Sequence, residues 1–345
     1  MKLSVIVPVL NEPRGLARLL LQLREMQIAD QVIICDDGSD IPCSPALVAD
    51  MSRRMGEVIP LDVHDPLPGS DLVWLRSDRS RGAGHARNRG AERAKGSHVL
   101  FFDADDVLTP EIGEILDDLA GRKFDFAMFR HHDSRVLKRG GTGPLEPDAS
   151  YWAAAGIGER FETVSHEGAL SLCRVAAYPW NKIWNRSFLR RESIHCTEIP
   201  VHNDVEHHWS GFLSARTILA SRQVGCIHHV DAGRSQLTNR RGIDRLRVFE
   251  ALDNVADRFV HAVGQDVQRA DFADPFLEFM LRLLRWIRGQ LDSATALSRL
   301  TAEQALFLRR LAAPSRAALA PAIELALLRN PTLARWAAPE LERAA

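Results

Sequence analysis

Apolar and polar positions alternate in blocks along the first 130 residues. Short apolar runs at residues 3–7, 32–35, 72–75, 98–102 and 124–129 read as buried strands, nearly continuous in hydrophobicity as parallel strands covered on both faces are. Between them Leu16, Leu19, Leu20, Leu23 and Met26 recur at helical spacing, and residues 84–94 read as a further helix. Thr109-Pro110-Glu111 opens another, with Pro110 at its first position and Ile112, Ile115, Leu116 and Leu119 as its apolar stripe. Strand and helix in alternation predict an α/β fold with a mostly parallel sheet. Polar clusters follow several of these strands, at the carboxyl-end rim where open α/β sheets bind ligands.

From about residue 131 the pattern loosens. Gly140, Gly141, Pro144 and Pro147 punctuate residues 133–165, which predicts a long, mobile loop. Residues 181–188 read as a strand entering a helix, and Val205, Trp209, Phe212 and Leu213 mark a helix with Asp204 in its first turn. Residues 223–230 read as a strand. Beyond residue 241 the chain is alanine- and leucine-rich and helical, broken by Pro314, Pro321, Pro331 and Pro339. The expected division is therefore 1–240 and 241–345.

Composition narrows the classes. The 345 residues suffice for one large or two ordinary domains, and 46% hydrophobic with 26% charged residues excludes disordered, collagenous and coiled-coil chains. With 44 basic and 45 acidic residues the net charge is −1, so no global field selects nucleic acid, and a nucleic-acid partner is not expected. Residues 276–345 depart from that balance, with ten arginines against six acids. Cys35, Cys43, Cys173, Cys196 and Cys226 are odd in number and form no C-x-x-C, which fits a reducing compartment without zinc site or disulfide framework. Asn11 and Glu12 cut the first apolar run before it reaches signal-peptide length, and no run is long enough to span a membrane. The expectation is a cytoplasmic protein.

The chemistry concentrates in Phe101-Phe102-Asp103-Ala104-Asp105-Asp106. Carboxylates at alternate positions past a buried strand can converge, and hard oxygen ligands suit Mn²⁺ or Mg²⁺. Such an ion binds a diphosphate and offsets the charge that develops on it as a leaving group. Taken alone, the same residues read more readily as an acidic turn capping the next helix. Their neighbours distinguish the two readings: Ser4-Val5-Ile6-Val7-Pro8-Val9-Leu10-Asn11-Glu12, Cys35-Asp36-Asp37-Gly38-Ser39-Asp40 and Ala86-Arg87-Asn88-Arg89-Gly90 precede the acidic segment in that order. This series resembles the family-2 glycosyltransferases. The resemblance continues in Trp180-Asn181-Lys182-Ile183-Trp184-Asn185-Arg186-Ser187-Phe188-Leu189, similar to the family's segment before its catalytic base, and in His202-Asn203-Asp204-Val205-Glu206, similar to the stretch that carries the base. It covers roughly residues 3–240.

The resemblance implies a GT-A nucleotide-sugar-binding domain, a mostly parallel mixed sheet flanked by helices, followed by an α-helical C-terminal domain. It implies that Pro8, Asn11 and Glu12 border the base and ribose of a nucleotide, that Asp37 accepts a hydrogen bond from uracil, and that Arg87 lies against the nucleotide or its phosphates. Asp103, with Ala104 beside it, would meet the ribose and the metal, and Asp105 would be the principal metal ligand. Asp204 would be the general base of an inverting transfer from a nucleotide diphosphate sugar, UDP-linked, to a hydroxyl of a glycan or lipid-linked glycan acceptor. Asn203 stands where the family usually has a glutamate. Two residues are placed more loosely: His229 as a third metal ligand or diphosphate contact, against a satisfied structural histidine, and Arg234 near the diphosphate.

Other readings are weighed alongside. Gly82-Ala83-Gly84-His85-Ala86-Arg87 imitates a dinucleotide fingerprint but lacks its third glycine and follows a late strand. A sugar-phosphate nucleotidyltransferase would share the layout, with a glycine-rich first turn that is missing here. A non-catalytic nucleotide-sugar-binding scaffold is motivated by Asn203. Residues 276–288 are amphipathic, basic and contain Trp286; they suit either a peripheral seat on the inner face of the cytoplasmic membrane, or a core-facing helix or homo-oligomer contact.

Overall fold

The computed structural model describes residues 1–230, 242–329, 331 and 334. Strands β1 (Leu3–Val9), β2 (Gln31–Asp36), β3 (Asp71–Arg76), β4 (His98–Phe101), β5 (Val107–Leu108), β6 (Phe126–Asp133), β7 (Glu162–Thr163), β8 (Lys182–Asn185) and β9 (Ile218–His228) form one mixed sheet in the order β3-β2-β1-β4-β8-β6-β9-β5, with β7 also on β9. β1 pairs in parallel with β2 and β4, and β2 with β3; β8 runs antiparallel to β4 and β6.

Alternation along β1 sets the layers. Leu3, Val5, Val7 and Val9 face a core completed by α1 (Pro13–Met26), while Ile6 faces the opposite core. α2 (Pro45–Arg54) covers the same face as α1, and α3 (Ala83–Arg93) the opposite one. There Gly90 allows close approach, since a Cβ on it would lie 2.3 Å from Ile6 Cγ2. α4 (Ile112–Leu119) joins the α1 side with Ile112, Ile115 and Leu119. The helix starts two residues later than its sequence signal, because Thr109 is still tied to β9: its N–H donates to Gly225 O at 3.1 Å and its hydroxyl to Val224 O at 2.5 Å.

Residues 133–165, expected as a loop, hold α5 (Ser134–Leu137), α6 (Asp148–Ala154) and β7. Trp152 is buried, and Asp148 Oδ2 accepts the Ala176 N–H at 3.0 Å, so a few anchors order a segment whose glycines and prolines advertise only turns. α7 (His166–Leu172), α8 (Arg186–Arg191) and α9 (Val205–Ser214) complete this region. β9 begins five residues before its sequence signal, paired with β6 from Phe126↔Ile218 onward.

α10 (Val248–Gln265), α11 (Ala273–Gln290), α12 (Ala294–Leu311) and α13 (Ala320–Arg329) follow, and no strand occurs among the described residues beyond 241. The apolar face of α11, with Phe276, Leu277, Phe279, Met280, Leu284 and Ile287, is buried and continuous with the core over α9, where Trp209 meets Phe276 and Phe279. This is the core-facing arrangement of residues 276–288. Among the described residues no single helix is long and apolar enough to cross a membrane.

Candidate active site

The ends of β1 and β2 are fastened to each other. Asn11 leaves β1 at φ 55°, its N–H donates to Ser39 Oγ at 2.9 Å, and its side chain donates to Asp40 Oδ2 at 3.1 Å while accepting the Asp40 N–H at 2.8 Å. Glu12 caps α1 by accepting the Gly15 N–H. Pro8 lies inside β1, opposite Cys35. Asp37, just past β2, accepts the Ser80 hydroxyl at 2.7 Å and the N–H groups of Arg81 and Gly82 at 3.0 and 2.7 Å. It therefore shapes the turn into α3, where Gly82 takes φ 98°. Three donors crowd Oδ2 and the Arg81 N–H is shared with Oδ1, so of about four acceptor sites one remains, on Oδ1.

Arg87 is the junction of the rim. It is buried on α3, and its guanidinium donates to Asp103 Oδ1 at 2.6 Å and to Asn203 Oδ1 at 2.7 Å. Burial works against its charge, yet Asp103, Cys196 and Asp204 together hold the group more firmly protonated than usual. Asn203 thus accepts a charge-assisted hydrogen bond from Arg87 without forming an ion pair.

The segment 195–204, which carries Asp204, is clamped onto α3. Asn88 pairs with Cys196 in both directions at 2.9 Å, and His85 meets Glu198 at 2.9 Å. A Cβ on Gly84 would lie 2.5 Å from Thr197 O and 2.9 Å from Asn203 Cβ. Gly84→Ala, which in an ordinary helix would stabilise, is expected here to cost about 1–3 kcal/mol by overpacking. Its Tm should fall by several degrees in differential scanning calorimetry; an unchanged or higher Tm would show that the segment is not held so tightly.

Asp103, Asp105 and Asp106 bring ligand atoms within 4.8 Å of one another. Arg18 braces their backbone, donating to the carbonyls of Asp105 and Asp106 at 2.6 and 3.2 Å. Burial, then Asp106 and Asp103, push the Asp105 carboxyl up to about 7. Asp106 is buried; its Oδ1 accepts from the His228 imidazole at 3.0 Å and the His229 N–H at 2.8 Å, while its Oδ2 has no partner among the described residues. An orphaned buried oxygen and crowded hard carboxylates are the donor set a divalent cation fits. His229 thus reaches the cluster through its backbone, and it is His228, stacked on Trp180 with ring centroids 5.1 Å apart, whose ring touches Asp106.

Asp204 sits at the N-cap of α9 but makes no capping bond with its side chain, so helix capping does not account for its carboxylate. Burial pushes it up to about 6, opposed by Arg87 and by its own backbone N–H, reinforced by Asp103, and opposed to a smaller extent by Lys182. Arg234 lies outside the described residues. Sequence reasoning gave no role to Asp106, His228, Asn88 or Lys182. Asp106 was visible as the third acid of its run, whereas the others become informative only when distant segments meet.

Residues 4–139 match the family described as Glycosyl transferase family 2. Among curated proteins, the chain is 24% identical over 225 residues to "Putative glycosyltransferase EpsH" of Bacillus subtilis (strain 168), covering 65% of this chain and 58% of that protein. The match thus spans little more than half of the relative's length. Among solved structures, S. aureus TarS 1-349 in complex with UDP-GlcNAc superposes with a TM-score of 0.67 at 18% identity, over 94% of this chain and 90% of the other. The mannosyltransferase PcManGT from Pyrobaculum calidifontis, in complex with GDP-Man and Mn²⁺, gives 0.52 at 16% identity, over 99% and 84%. At these identities the structures establish the shared fold.

Proposed function

From a chain that carries a glycosyl transferase family 2 domain at residues 4–139, we propose an inverting glycosyltransferase that moves a sugar from a UDP-linked donor to a hydroxyl of a glycan or lipid-linked glycan. The observation that carries the reading is the Arg87 junction, which ties the acid cluster through Asp103 to Asn203, next to the carboxylate of Asp204, which makes no capping bond. A donor site and a base for the acceptor are thereby held on one rim.

On this reading the first turns after β1 and β2, with Pro8, Asn11, Glu12 and Asp37, receive the nucleoside, and Asp37 has one acceptor site left, on Oδ1, for a ring N–H. Arg87, and Arg234 from the segment after β9, supply positive charge toward the diphosphate. Asp103 and Asp105, with the orphaned Oδ2 of Asp106 beside them, would hold Mn²⁺ or Mg²⁺, and Ala104 between them is buried. When bound, such an ion supplies Lewis-acid neutralisation of the leaving diphosphate. His229 stays within reach through its backbone. Asp204, as carboxylate, accepts the proton of the acceptor hydroxyl as its oxygen attacks the anomeric carbon.

The neighbours named for UDP-GlcNAc and GDP-Man donors support a nucleotide-sugar substrate without choosing the base or sugar. The test is proton NMR of the product formed from an α-linked UDP-sugar with Mn²⁺: a β-anomer is expected, and an α-anomer would rule out single displacement. Because Asp204 must be ionised, kcat/KM should fall as pH drops through about 6. A flat profile from pH 5 to 8 would remove this carboxylate from the chemistry. Release of pyrophosphate from UTP and a sugar phosphate would instead favour a nucleotidyltransferase. Donor binding with neither transfer nor donor hydrolysis would favour a scaffold.

A further inference from the structure

One buried cation near the rim has no part in the steps above. Lys182 opens β8 and is fully buried. Because β8 runs antiparallel to β4, its first residue lies beside the end of that strand, toward the turn that carries the acid cluster, and it pairs with Met128 within β6. Its ammonium donates to Tyr178 O at 2.6 Å and to Asn181 Oδ1 at 2.8 Å. Both acceptors are neutral, so two of its three N–H groups are anchored without an ion pair. Burying an ammonium in this way costs several kcal/mol, which a purely structural position could avoid with an apolar side chain.

The charges around it give that cost a purpose. Asp204 is faced by Arg87 from α3, Lys182 from β8, Asp103 from the turn after β4 and Cys196 from the clamped segment. Lys182 is faced by Asp204 and by Asp148 of α6, and it in turn acts on His131 of β6 and on His207 and His208 of α9. Burial keeps those three histidines neutral. Of the two cations facing Asp204 among the described residues, Arg87 is already offset by Asp103 at 2.6 Å. Lys182 touches no carboxylate among the described residues.

We propose that Lys182 is a positioning residue for the base: its ammonium, anchored by Tyr178 and Asn181, keeps the Asp204 carboxylate ionised. The proposal rests on the reading of Asp204 as general base. Burial pushes the lysine itself down to about 7, so the ammonium is present through the pH range in which Asp204 titrates, and the two groups titrate as a coupled pair.

The experiment is the pH dependence of kcat/KM for donor turnover in Lys182→Met and Lys182→Gln, beside the parent and Asp204→Asn. The glutamine variant keeps a donor for Tyr178 O should the methionine variant fold poorly, and Tm values establish folding. Removing a nearby opposite charge should move the acid limb up by about one pH unit. Relative to its own high-pH plateau, each variant should then be about fivefold less active at pH 6. A merely structural lysine would lower the plateau and leave the limb where it was. If Asp204→Asn is inactive at every pH while the limb of both lysine variants stays in place, the proposal fails and the base reading stands. If Asp204→Asn keeps the parent's limb, the base reading fails and takes the proposal with it.

Discussion

Asp204→Asn should lower kcat by about 10³-fold while leaving the affinity for UDP within about threefold. The asparagine occupies nearly the same volume at the N-cap of α9 but cannot take a proton from an acceptor hydroxyl. Donor binding should survive because the Arg87 contacts run to Asp103 and Asn203 rather than to Asp204 itself. Steady-state kinetics of UDP release, paired with calorimetric UDP binding, separate the two effects. A variant that kept a tenth or more of the parent's kcat would place the base elsewhere on the rim.

Asp105→Ala acts on the other half of the site. With Asp103 and Asp106 close by, Asp105 is a crowded acid whose charge is disfavoured until a cation shares it. Removing it should abolish the Mn²⁺-dependent part of UDP binding and lower turnover by about 10²- to 10³-fold, the scale of several kcal/mol of lost charge stabilisation. In EDTA the same variant should be no less stable than the parent, since it relieves repulsion among clustered acids that are retained for function rather than stability. Thermal scans with and without Mn²⁺ provide that contrast. Unchanged Mn²⁺-dependent binding would count against the cluster as the metal site.

What was legible in the sequence is what local pattern encodes. β1, β2 and β4 stand within two residues of their apolar runs, because strands buried on both faces leave little ambiguity in hydrophobicity, and the half-buried edge strand β3 still shows as a short apolar run between polar ends. The polar residues that follow them fall on one rim for the same reason. Local pattern fails where order is set by partners distant in sequence. Residues 133–165 look like a loop, yet Trp152 and the bond from Ala176 to Asp148 order them. Asn203 reads in the sequence as a departure that weakens the base, whereas in the fold it is the second acceptor of Arg87. Lys182 is one polar residue at the start of a four-residue strand, and only the antiparallel course of β8 brings it to the rim.

The central claim is that this rim binds a uridine diphosphate with a divalent cation. A calorimetric titration of UDP into the full chain tests it most directly, performed with Mn²⁺, repeated with EDTA, and repeated with GDP. The account predicts binding that requires Mn²⁺ and is at least tenfold stronger for UDP than for GDP, about 1.4 kcal/mol of discrimination. Absence of binding to either nucleotide in the presence of Mn²⁺ would contradict it.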